Sequence, residues 1–144
     1  MSSSQQSQRD AEARVAAEAA ARRQAEINRL NREISRVNGE MRILESQLER
    51  VREAQRELAV IQDWVADDNR RLNQLDCDDP NFWNGYSQGQ CSIGYADCLT
   101  LASTCVAELN NVADEFRTTE VRMMTEVRGL EDTVASFISA LARL

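Results

Sequence analysis

The stretch Asp76-Cys-Asp-Asp-Pro-Asn-Phe-Trp-Asn-Gly-Tyr-Ser-Gln-Gly-Gln-Cys91 decides how the chain folds. It holds Pro80, the only proline, together with Gly85 and Gly89, the aromatic cluster Phe82, Trp83 and Tyr86, and two of the four cysteines. Long helical patterns lie on either side. Proline and glycine between two periodic segments mark a chain reversal, so the expected fold is all-α, a long antiparallel helical hairpin.

Upstream, residues 9–76 read as one helix broken only by Gly39, after a Ser/Gln-rich segment, 1–8, expected to be disordered. Its apolar seam starts at Ile27 and runs through Leu30, Ile34, Val37, Met41, Leu44, Leu48 and Val51 in alternating steps of three and four, a coiled-coil spacing. Following the apolar letters onward gives Ala54, Leu58, Ile61, Val65, Leu72 and Leu75, a change of phase that reads as a stammer. Downstream of a loop at 77–96, a second helix over 97–144 shows Cys98, Ala102, Cys105, Leu109, Val112 and Phe116, then Met123, Val127, Leu130, Val134, Phe137, Leu141 and Leu144. Leu99, Leu101, Val106, Met124 and Ile138 widen this stripe beyond one partner helix. Residues 9–144 are therefore read as a single helical-hairpin domain that forms half of a four-helix bundle or larger assembly. Counting back from the loop pairs 97–144 with about 28–76, which leaves the start of the first helix as an overhang.

Composition narrows the function. A hydrophobic share of 42% with only 5% aromatic residues suits a helix seam better than a thick core. The net charge of −7 disfavours nucleic acid, whose phosphates need a basic footprint. With no histidine in the chain, imidazole catalysis and His-ligated metals are ruled out. Leu58-Ala-Val-Ile61 is among the longest apolar runs, far short of the roughly 18 residues that span a bilayer. A polar N-terminus without an apolar core is not a secretory signal, whereas clustered cysteines favour an oxidising compartment, so export by a route that reads no N-terminal signal reconciles the two.

Four cysteines allow three complete pairings. Cys98 and Cys105 lie about 10.5 Å apart on one helix, beyond the roughly 7 Å limit for a disulfide. The expected pairing is Cys77–Cys98 with Cys91–Cys105, ahead of Cys77–Cys105 with Cys91–Cys98. A zinc site would need a C-x2-C knuckle that the spacing lacks. Asp63, Asp67, Asp68, Asp76, Asp78, Asp79 and Asp97 crowd the loop end against Arg70 and Arg71; without a loop glycine and downstream Glu this is a solvated acidic tip rather than a calcium loop. No cofactor and no catalytic group are expected, because a hairpin offers no cleft.

The triplet Trp83-Asn84-Gly85 at the turn between two long helices resembles the WXG100 superfamily of type VII secretion, most of all the small helical partners of LXG effectors, over about residues 28–144. The resemblance implies a non-enzymatic binding partner or targeting factor for a helical LXG-type effector domain, exported from the cytoplasm to the cell surface or beyond. It also implies that Trp83 and Gly85 shape the turn and that Phe116-Arg-Thr-Thr-Glu120 matches the family's aromatic-x-x-x-acid export motif, though here mid-helix. Met41, Leu48, Leu109, Phe116, Met123 and Val127 are the expected partner interface. The other class of function is a structural coiled-coil scaffold in which the partner is a second copy.

Overall fold

The computed structural model describes residues 2–74 and 85–144, with side chains from residue 89 onward in the second segment. Two helices account for nearly all of them: α1, Ser3–Asn73, and α2, Gly85–Ala142. They pack against each other as an antiparallel hairpin with no strand among the described residues. The turn residues Cys77, Pro80 and Trp83 lie outside the described residues.

Both helices are longer than the sequence reading gave. Residues 3–8 continue α1 instead of being disordered: the Gln5 N–H donates to Ser2 O at 3.1 Å and meets Ser2 Oγ at 3.4 Å, which caps the first turn. α2 starts at Gly85, well before position 97, so most of the expected loop is helical. Gly89 and Gly94 cost a helix only about 1 kcal/mol each. Cys91, Tyr95 and Leu99 fall on one half-buried face in this region and outweigh that cost.

The packed face of α1 is an unbroken heptad. One set of positions is Leu30, Val37, Leu44, Val51, Leu58, Val65 and Leu72, each buried or half-buried. The alternate set is Ile27, Ile34, Met41 and Leu48, then Gln55, Gln62 and Asn69, again all buried or half-buried. The stammer read from the letters does not exist. Gln62 takes the inward place assigned to Ile61, which is 41% exposed. An uninterrupted 3-4 spacing keeps the seam on its partner, and it does so through polar residues. In α2 the packed face runs Tyr95, Leu99, Ala102, Val106, Leu109, Ala113, Phe116, Glu120, Met123 and Val127 onward to Leu141. Leu99, Val106 and Ala113 stand where Cys98, Cys105 and Val112 were expected, and those three are exposed.

Two compact units share the helices. The terminal unit comprises Met1–Ser46 and Met124–Leu144, and the central unit Gln47–Met123. In the terminal unit every described residue before Glu26 is exposed, and inward packing begins at Glu26 and Ile27. That is the expected overhang. Within the central unit, Gln62 Nε2 donates to Asn110 Oδ1 at 3.2 Å and sets the register of the two helices. The ion pairs of Arg22, Arg29, Arg36, Arg56, Arg70, Arg71 and Arg117 each stay on their own helix, one or two turns away. Such exposed pairs are screened by solvent and contribute little. Among the described residues, apolar contact and the Gln62–Asn110 hydrogen bond, not ion pairs, join α1 to α2.

Candidate functional site

The core is thin. Among the described residues the buried hydrophobic ones are Leu30, Val37, Leu48 and Leu58, all on α1, while Val15, Ile43, Ile61, Trp64, Leu101, Val112 and Ile138 are among the large apolar residues left exposed. Two helices can cover only one stripe of each other. Whatever apolar residues fall outside that stripe remain in solvent.

In the terminal unit, Ile43, Leu44, Gly129 and Leu130 floor a shallow groove between the helices, rimmed by Glu40 and Glu126. Ile43 is 61% exposed there. A Cβ built on Gly129 would meet nothing within 4 Å, so the glycine holds open space on the groove wall. Glu40 accepts a hydrogen bond from Arg36 Nη1 at 2.6 Å, leaving Glu126 as the rim carboxylate without a salt bridge of its own among these residues. The groove is apolar within and acidic at its edge, which suits an apolar helix face with basic flanks.

In the central unit the hairpin has two unlike faces. One carries Gln55, Gln62, Asn110 and Arg117, the polar residues around the Gln62–Asn110 bond. The other carries Cys98, Leu101, Cys105 and Val112 from α2, with Ile61 and Trp64 of α1 on the corresponding flank; helical spacing places these residues on the opposite side of each seam. Trp64 is 65% and Leu101 69% exposed. Thr100 Oγ1 donates to the Ala96 carbonyl at 3.1 Å and Thr104 Oγ1 to the Thr100 carbonyl at 3.0 Å. Hydroxyls bonded back into their own helix leave this surface short of free donors.

The residues expected to form a partner interface mostly face inward. Leu48 is 7% exposed and has no surface to offer, and Met41, Leu109, Phe116, Met123 and Val127 are half-buried in the intramolecular seam. Phe116 and Glu120 occupy successive seam positions one turn apart. Following apolar letters found the seam and the flank residues Trp64, Leu101 and Ile138, which are exposed, but missed Ile43 and Ile61. Those two could have been found by holding the 3-4 spacing strictly through the glutamines.

None of the expected disulfides among the described cysteines is formed: Cys91, Cys98 and Cys105 are free thiols. All three lie on α2, so Cys91 and Cys105 are about 21 Å apart along the axis and Cys91 and Cys98 about 10.5 Å. The helix that starts at Gly85 removes the loop that was to bring them together. Cys77, Trp83 and the acidic residues Asp76, Asp78 and Asp79 lie outside the described residues, and so does the side chain of Gly85's neighbour Tyr86. At the described part of the tip, Asp67 pairs with both Arg70 and Arg71. No group of metal-ligating residues comes together among the described residues, and no described helix is long and apolar enough to cross a membrane. The Arg29 guanidinium, hydrogen-bonded to Glu26, holds that carboxyl below its ordinary range. No family model, curated protein or solved structure matches the chain.

Proposed function

We infer that this protein is a non-enzymatic helical partner that completes its own folding by docking on another helical protein. The observation that carries this reading is the mismatch between the four buried hydrophobic residues among those described and the exposed apolar flanks at Ile43, Ile61, Trp64 and Leu101. Exposed patches of this kind mark interaction sites. The groove floored by Ile43, Leu44, Gly129 and Leu130 is the docking site, and it takes an amphipathic helix whose apolar residues recur every third or fourth position. By resemblance to WXG100 proteins, the partner is the helical N-terminal domain of an LXG-type effector, with joint export through type VII secretion and Phe116 with Glu120 as the motif that a secretion component reads.

Co-expression with the helical N-terminal domain of an effector encoded beside this gene tests the reading. A one-to-one complex that dissociates on Ile43→Glu is the expected result. Two proteins that elute separately, or a complex indifferent to Ile43→Glu, would reject it.

A further inference from the structure

We propose that residues 51–73 of α1 are a replaceable cover on α2, and that the surface beneath them receives a helix with apolar residues at every seam position. This surface lies within the central unit and is distinct from the groove of the terminal unit.

The two sides of this seam do not match. Counting from the Gln62–Asn110 bond, Gln55 falls beside Phe116, Gln62 beside Leu109 and Asn69 beside Ala102. Between them come the layers Leu58–Ala113, Val65–Val106 and Leu72–Leu99. Gln62, Val65, Val106 and Leu109 line one cleft of the seam, and Gln55, Leu58, Gln62 and Ala113 another. From Leu99 to Phe116, α2 thus presents a complete apolar stripe at 3-4 spacing, and α1 meets every second layer of it with an amide. Gln62 reaches Asn110, whereas Gln55 and Asn69 have no hydrogen bond to α2 among the described residues. An amide at a seam position forgoes the apolar contact that a leucine would make there. In the terminal unit the same set of α1 positions is Ile27, Ile34 and Met41, so the polar layers belong to the central unit.

The layers define the occupant. It is a helix antiparallel to α2 that keeps apolar residues where α1 has Leu58, Val65 and Leu72, and adds them where α1 has Gln55, Gln62 and Asn69. Such a helix gains apolar contact on α2 that the native cover lacks, and a ligand shifts a closed-to-open equilibrium only by a difference of that kind. The native cover is part of the same chain, which raises its local concentration and holds the seam closed until a better-matched helix arrives. Residues 51–73 therefore act as an autoinhibitory contact: they fold onto the apolar stripe of α2 and yield it to a stronger competitor.

Two fluorescent peptides spanning residues 51–73 test this against the full-length protein under reducing conditions. One has the native sequence, and the other carries Gln55→Leu, Gln62→Leu and Asn69→Leu. In anisotropy titrations the leucine peptide is expected to bind at least about a hundredfold more tightly than the native one. Hydrogen exchange locates the complex: amides 51–73 of the protein lose protection on binding, while amides 89–113 keep theirs. A closed variant of the protein, carrying Gln55→Leu and Gln62→Leu, retains its helical circular dichroism and binds the leucine peptide at least about tenfold more weakly than the parent. A leucine peptide that binds no more tightly than the native one overturns the proposal. So does binding that leaves the protection of 51–73 unchanged, which puts the peptide on an exposed flank instead. A closed variant that binds as tightly as the parent overturns it as well.

Discussion

Leu48 and Val60 lie twelve residues apart on α1, one 7% and the other 47% exposed. Leu48→Ala leaves a cavity that surrounding side chains fill only in part, so a loss of about 2–4 kcal/mol is expected in urea unfolding. Val60→Ala deletes a side chain half in water and raises helix propensity, so its effect stays within about 0.5 kcal/mol. Gly129 is the informative case. With open space around its missing Cβ, Gly129→Ala stabilises the isolated protein by about 0.5–1 kcal/mol through helix propensity. The same methyl intrudes on the groove and weakens docking of the helical partner; a variant more stable but equal in binding would remove Gly129 from the interface. Gly39→Ala shares the gain in stability without the second effect. Glu26 sets the sign of a pH dependence. Its pKa is lowered in the folded chain, so its bond to Arg29 contributes above the ordinary carboxylate range and is lost as pH falls through the lowered value. Acid titration followed by NMR of Glu26 and of Glu26→Gln checks that direction.

The elements differ in how their seams are built. In the terminal unit the alternate set of α1 is Ile27, Ile34 and Met41, whereas in the central unit it continues past Leu48 as Gln55, Gln62 and Asn69. A polar residue at a coiled-coil seam specifies register at a cost in stability. Amide hydrogen exchange should therefore be faster across 51–73 and 89–113 than across 27–46 and 124–141. Equal protection in the two segments would mean that the glutamine positions cost nothing. The overhang makes a separate prediction. Residues 2–25 are exposed throughout, so deleting them lowers the helical circular dichroism but leaves the unfolding midpoint of the remaining hairpin in place. Helix α2 carries three reduced thiols, two of them exposed. Cys98 and Cys105 should react with a thiol reagent in the native monomer without prior unfolding.

At the scale of the whole molecule, the two long helices, the reversal between them and the overhang ending near Ile27 were legible in the sequence. Each depends on local signals: helix propensity, one proline, and a repeat that survives being read as letters. The phase of the seam was not legible beyond Val51. Gln55 and Gln62 look like surface residues, and the adjacent Ala54 and Ile61 look like core. Only packing shows that an uninterrupted heptad costs less than the overwinding a shifted one would impose. The same error placed Cys98, Cys105 and Val112 inside and hid the face they form. Disulfide expectation failed for a related reason, since glycines suggested a loop where a packed face extends the helix back to Gly85. The sequence by itself determined an all-α hairpin, because periodicity and chain-breaking residues act over a few neighbours. Which apolar residues are left over for another molecule was decided by tertiary structure alone, because that depends on how two helices rotate to share one seam.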